Sequence, residues 1–138
     1  MSGLVESQQD SLRGLVKRLI EEHRDFSRKE QRLSGSIRDD ADLSAIAEIF
    51  SPLRESLIGH MLVEETDIFP EVSNQGLFSE RISEIMQQHL DITAALDEMR
   101  SSIHGKDFQR LSKAFDELVH FMQIHFRAEE KEVFPLVV

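Results

Sequence analysis

His60-Met61-Leu62-Val63-Glu64-Glu65-Thr66-Asp67-Ile68-Phe69-Pro70 recurs 65 positions later as His125-Phe126-Arg127-Ala128-Glu129-Glu130-Lys131-Glu132-Val133-Phe134-Pro135. Both copies read His-x-x-x-Glu-Glu-x-x-x-Phe-Pro. The likeness reaches backward at the same offset, since Phe50, Leu53 and Leu57 fall on Phe115, Leu118 and Met122. At an offset of 66, Leu19-Ile20-Glu21-Glu22-His23-Arg24-Asp25-Phe26 falls on Ile85-Met86-Gln87-Gln88-His89-Leu90-Asp91-Ile92. The chain therefore reads as two similar halves, about 8–72 and 77–138, together one domain over 1–138. Each half carries a lone His and then a His-x-x-x-Glu pair.

The apolar residues recur at steps of three and four, the period of a helix with one buried face. A first helix near 8–34 places Leu12, Val16, Leu19, His23, Phe26 and Leu33 on one seam. A second carries Ile46, Phe50, Leu53, Leu57, His60, Glu64 and Ile68. A third, near 79–104, carries Ile82, Ile85, His89, Ile92, Leu96, Met99 and Ile103. A fourth, near 107–133, carries Leu111, Phe115, Leu118, Met122, His125, Glu129 and Val133. Gly35 and Gly105 stand where helix C-terminal glycines stand, and Pro70 and Pro135 are expected to stop the second and fourth helices. Ser73-Asn74-Gln75-Gly76 reads as the connection between halves. Ile46 and Phe50 already follow the seam, which favours a long second helix kinked at Pro52 over one capped by Ser51. No alternating strand pattern occurs. The expected fold is all-α, an up-down-up-down four-helix bundle built from two repeated hairpins.

Composition narrows the chemistry. Cysteine is absent, which excludes disulfides, thiolate metal sites and a thiol nucleophile. Trp and Tyr are absent too, so no tyrosyl radical can form. A net charge of −10 argues against nucleic acid and anionic membranes as partners. No apolar run approaches the roughly 20 residues of a membrane span, and the N-terminus lacks the basic and apolar parts of a signal peptide. The expected location is cytoplasmic. Neither a P-loop, a Gly-rich dinucleotide turn nor a His-Glu-x-x-His zincin motif is present.

Six polar residues interrupt the seams: His23, His60, Glu64, His89, His125 and Glu129. Each Glu follows its His by four residues, one turn along the same face. An ionised carboxylate inside a bundle costs several kcal/mol unless it is paired or metal-bound. Neither seam offers it a Lys or Arg. Imidazole with carboxylate is the donor set of iron, manganese and zinc. Six donors exceed what one tetrahedral zinc takes, and suit two ions with two imidazoles each and carboxylates between them. Glu65 and Glu130, one residue on, are expected to be solvated or to hydrogen-bond the ligands. Phe69 and Phe134 are expected to close the bundle beside the site. Asp25 and Asp91 are candidate partners for the imidazoles, and Glu21, Glu22 and Glu132 read as solvated acidic runs. His104 is expected to be exposed, and His120, about 140° around the helix from His125, to point away.

These motifs resemble the hemerythrin-like, HHE cation-binding family, over nearly the whole chain from Leu12 to Pro135. The resemblance implies a left-handed up-and-down bundle around a non-haem di-iron centre, oxo- or hydroxo-bridged. It also implies binding of dioxygen, nitric oxide or peroxide, in a stress or sensing role. Carried over by position, the ligands are His23, His60, Glu64, His89, His125 and Glu129. Two departures bear on the role. Oxygen-carrying hemerythrins have a second His on the third helix where Thr93 stands here, and an Asp five residues after the fourth-helix His where this chain has Glu129 at four. The four-His, two-Glu set is nearer the subgroup linked to repair of damaged iron–sulfur centres. An iron donor and a peroxide- or NO-consuming enzyme are therefore the alternatives, with a structural zinc site as a third.

Overall fold

A computed structural model describes residues 2–39, 41–74 and 79–137. It contains five α-helices among the described residues: α1 (Ser2–Arg38), α2 (Leu43–Val63), α3 (Phe69–Asn74), α4 (Ser79–His104) and α5 (Phe108–Ala128). The short α3 continues the line of α2 after a wide turn at Glu64–Ile68. The architecture is thus an all-α four-helix bundle: α1, α2 with its extension, α4 and α5. Each long helix packs on two others, in the ring order α1, α2, α4, α5.

The core has two apolar clusters. One gathers Phe26, Leu33, Ile46, Leu53, Leu57, Ile92, Leu96, Leu111 and Leu118. The other gathers Val16, Leu19, Ile68, Phe69, Ile85, Val133 and Phe134. Between them, on every long helix, lie the buried polar residues His23, His60, Glu64, His89, His125 and Glu129. Along α1 and α4 the second cluster comes before the histidine; along α2 and α5 it comes after. That reversal is the up-down-up-down order, read from burial alone.

Local sequence explains where the helices begin. Asp42 accepts a hydrogen bond from the Ala45 backbone N–H at 3.0 Å, and Asp107 accepts one from Arg110 at 3.1 Å. Each caps the next helix, satisfying one of its unpaired N–H groups.

Several expected boundaries fall elsewhere. Gly35 lies inside α1, which runs on to Arg38 because Leu33 and Ile37 on either side are buried. Packing of that kind outweighs the roughly 1 kcal/mol that glycine costs a helix. Pro52 lies inside α2, which starts at Leu43, as the seam of Ile46 and Phe50 requires. Pro70 does not end its helix: Ser73 and Asn74 belong to α3 rather than to a connection, while Gln75 and Gly76 lie outside the described residues. Pro135 sits in a 3-10 turn at Phe134–Leu136.

The reason lies just upstream of each proline. Glu64–Ile68 and Glu129–Val133 are single π-helical turns, closed by the Phe69 N–H on the Glu64 carbonyl and the Phe134 N–H on the Glu129 carbonyl. A π-turn inserts one residue into the helix and opens its hydrogen-bond ladder. Proline, which has no N–H to give, is tolerated directly after such an opening. The extra residue also lets Ile68 and Phe69 face inward together, as Val133 and Phe134 do.

Candidate metal centre

The six seam residues converge on one interior layer. His23, His60 and His89 are 3% exposed, and Glu64, His125 and Glu129 are 0%. Each helix contributes one imidazole, and the two glutamates open the two π-turns. His23, His60, Glu64 and Glu129 bring one donor atom each to within 4.8 Å of one another; Glu64, His89, His125 and Glu129 do the same. The two groups share both glutamates.

The imidazoles pair within each group. His23 Nε2 lies 3.1 Å from His60 Nε2, and His89 Nε2 lies 3.0 Å from His125 Nε2. Glu64 spans the groups, with Oε2 at 3.1 Å from His60 Nε2 and Oε1 at 3.0 Å from His89 Nε2. Glu129 Oε1 lies 3.2 Å from His23 Nε2 and 3.1 Å from His125 Nε2.

The opposite nitrogen of every imidazole is held by the neighbouring helix. Glu130 is 2.9 Å from His23 Nδ1, Glu22 is 2.8 Å from His60 Nδ1, Glu65 is 3.3 Å from His89 Nδ1, and the Gln88 oxygen is 2.9 Å from His125 Nδ1. The four bonds form a closed ring from α1 to α2, α4, α5 and back to α1. An oxygen acceptor fixes the proton on Nδ1 and leaves the Nε2 lone pair facing the interior.

Aromatic rings hold the imidazoles in plane. Phe126 stacks on His23 with centroids 4.0 Å apart and planes inclined by 14°. Phe134 lies 5.8 Å from His23, and Phe69 lies 5.4 Å from His89, both buried beside the site as expected.

Charge in this layer is unevenly borne. Burial first, and then the neighbouring His60, push His23 down to about 3, so its ring is neutral. Burial likewise lowers His125. At His60 burial opposes the charge, but Glu64 and Glu22 outweigh it and raise the imidazole. Burial and the Glu64 charge drive Glu129 well above the usual carboxylate range. Burial acts the same way on Glu64, yet the Glu129 carboxyl and the three histidines around it outweigh burial and hold it well below that range. The carboxylates thus divide into one ionised and one neutral partner, as like charges this close must.

A test of fit is available in the oxygens. Glu64 Oε2 and both Glu129 oxygens are buried with no hydrogen-bond donor among the described residues. A buried carboxylate oxygen without a donor pays its full desolvation cost. A cation placed among these oxygens and the four inward nitrogens would remove that cost. The donor set fits a transition metal.

Residues 80–138 match the hemerythrin HHE cation binding domain. The chain is hemerythrin-like, and the match falls on α4 and α5, the second half of the bundle. Over 126 residues it is 32% identical to the zinc finger protein BRUTUS of Arabidopsis thaliana, an alignment covering 88% of this chain and 10% of that protein. The chain spans about a tenth of the length of that curated relative. No solved structure matches it. A cation-binding fold accounts for the acidic, histidine-rich layer in the core of this hemerythrin-like bundle.

Other candidates in the hemerythrin-like chain fall outside the layer. His104 and His120 are exposed. Asp25 bonds Lys29 and Arg28, and Asp91 bonds Gln87, so neither orients an imidazole. Glu132 pairs with Arg81. Glu22, read as a solvated acid, and Gln88, one residue before the lone His of each half, are what sequence reasoning missed. Their signal was position: a residue adjacent to a seam histidine, at the same place in both repeats. Thr93 gives its hydroxyl to the His89 carbonyl of its own helix at 2.8 Å, and so offers the layer no donor. No helix among the described residues is long and apolar enough to cross a membrane.

Proposed function

We propose that residues 1–138 form one hemerythrin-like domain holding a non-haem di-iron centre that binds dioxygen, nitric oxide or peroxide in the cytoplasm under oxidative or nitrosative stress. The ligands in this reading are His23, His60, Glu64, His89, His125 and Glu129. The observation that carries it is the pair of overlapping four-donor groups sharing Glu64 and Glu129, whose oxygens lack other partners. The Nε2 atoms of His23 and His60, 3.1 Å apart, and of His89 and His125, 3.0 Å apart, are close enough for each pair to hold one ion.

When bound, an oxo- or hydroxo-bridged iron pair supplies redox change and a place for a small ligand. The protein supplies the rest. Four imidazoles and two carboxylates are fewer donors than two six-coordinate ions take, and Thr93 adds none. Coordination positions therefore stay open. Glu130, Glu22, Glu65 and Gln88 keep each Nδ1 proton in place and each ring aimed inward. Phe126, Phe134 and Phe69 pack against His23 and His89 and shield the layer from bulk water.

Metal analysis and an optical spectrum of protein purified without added metal test the reading, followed by rapid mixing of the reduced protein with O2 and with NO. The expected result is two irons per chain and a near-ultraviolet band, unobscured because Trp and Tyr are absent. Zinc in place of iron, or no spectral response to either gas or to peroxide, would overturn it.

A further inference from the structure

The repeat that builds the bundle also relates its hydrogen bonds. Superposing one half on the other exchanges His23–Glu130 with His89–Glu65, and His60–Glu22 with His125–Gln88. Three of the four acceptors are carboxylates. At the fourth, where the repeat puts Gln88 in the place of Glu22, a neutral amide accepts instead. The His89 bond is also the longest of the four, 3.3 Å against 2.8–2.9 Å.

From this asymmetry we infer that Gln88 is a positioning residue that makes the two metal positions unequal, the His89/His125 position binding its ion more weakly than the His23/His60 position. The inference rests on the two-metal reading above. A carboxylate on Nδ1–H draws the proton toward itself and leaves Nε2 richer in electrons, hence a stronger donor; an amide oxygen does so less. His23 and His60 both have short carboxylate bonds. His125 has an amide, and His89 a carboxylate at longer range. Both differences weaken the same position. Glu64 and Glu129 are common to the two positions and do not distinguish them. An ion pair of this kind fills in order and releases in the reverse order: the His23/His60 ion enters first and the His89/His125 ion leaves first.

Anaerobic calorimetric titration of the metal-free full chain with Fe(II) tests it, with Mössbauer spectra at one equivalent. Wild type is expected to bind in two resolved steps and to show one dominant iron environment at one equivalent. Gln88→Glu, close in shape, is expected to tighten the second step roughly tenfold, and Glu22→Gln to weaken the first by roughly tenfold. With Gln88→Glu two environments of comparable weight are expected at one equivalent, a change that mere loss of packing would not produce. Two equal steps in wild type, or steps and spectra unmoved by both substitutions, would overturn the inference while leaving the di-iron reading intact. Fewer than two bound irons in wild type would remove the reading itself.

Discussion

The Nε2 atoms of His23 and His60 lie 3.1 Å apart, and their lone pairs converge on the side where Glu129 waits 3.2 Å from His23. Two neutral imidazoles gain little from such an approach unless a cation or a shared proton lies between them. Their pseudo-symmetric counterparts His89 and His125 repeat the arrangement in the other half of the layer. In the proposed two-metal reading each pair would hold one ion. His23→Ala and His89→Ala are each expected to lower the metal content from two ions per chain to one. His104→Ala and His120→Ala, both outside the layer, should retain two. Metal analysis of the four purified variants checks this; loss of metal from His120→Ala would redraw the site.

The second expectation concerns Glu129, which is fully buried with neither oxygen hydrogen-bonded. Without metal, burial and then the Glu64 charge push its proton affinity up. Glu129→Gln keeps the shape and, being neutral, mimics the protonated acid that burial imposes on Glu129. Metal-free Glu129→Gln should unfold at the same denaturant concentration as metal-free wild type or a higher one, by up to about 1 kcal/mol. Iron should stabilise wild type but not the variant, because the shared donor is gone. Equal stabilisation of both by iron would show that Glu129 holds no metal.

The third expectation follows from His23, whose value falls to about 3 through burial and then through His60. A group depressed in the folded state contributes stability that is present above its unfolded value, near 6.5, and is lost as pH falls toward the folded one. Between pH 6.5 and 5 this loss is about 2 kcal/mol. His60 is raised by Glu64 and Glu22 against burial and works in the opposite sense: its contribution is full below about 6.5 and is lost only as pH rises toward its folded value, so it hardly changes between pH 6.5 and 5. Comparison with a second protein isolates the His23 part. His23→Phe, stacked on Phe126 in its place, should make the metal-free protein's loss between pH 6.5 and 5 smaller by about that amount. Urea midpoints at the two pH values measure it, and parallel losses in both proteins would contradict it.

Much of the layer was legible because burying charge is costly and therefore leaves a pattern. Glu64 and Glu129 on apolar seams, each four residues after a histidine, announce an interior that something must neutralise. The repeat then placed the four histidines on four different helices, and the structure brings all six residues together. What was not legible depends on the third dimension. Glu22 and Gln88 look like surface positions until α2 and α5 pack alongside and present His60 and His125 to them. The prolines misled for a related reason. Pro70 and Pro135 break an α-helix, but the π-turns at Glu64 and Glu129 had already opened the ladder before them. A seam that continues to Val72 beyond Pro70 was the available hint.

The end of α4 supplies a last expectation. Gly105 stands just after the helix, where a left-handed residue is common, yet the positive φ of 55° belongs to Lys106. Gly105 is held instead by its N–H on the Ser101 carbonyl at 2.8 Å, and a Cβ there would come within 3.3 Å of that oxygen. Lys106 closes the turn through its N–H to the Ile103 carbonyl at 3.2 Å, and Asp107 through its own to Ser102 at 2.9 Å before capping α5. A side chain at φ 55° costs about 1 kcal/mol, which glycine avoids. Part of that gain is returned, because glycine also loosens the unfolded chain. Lys106→Gly should therefore raise stability by about 0.5 kcal/mol, or Tm by about 2 °C, whereas Lys106→Val, β-branched in the same conformation, should lower it by about 1 kcal/mol. Thermal unfolding of both variants decides the matter. A stabilised valine variant would mean that the turn between α4 and α5 does not hold residue 106 in the left-handed region.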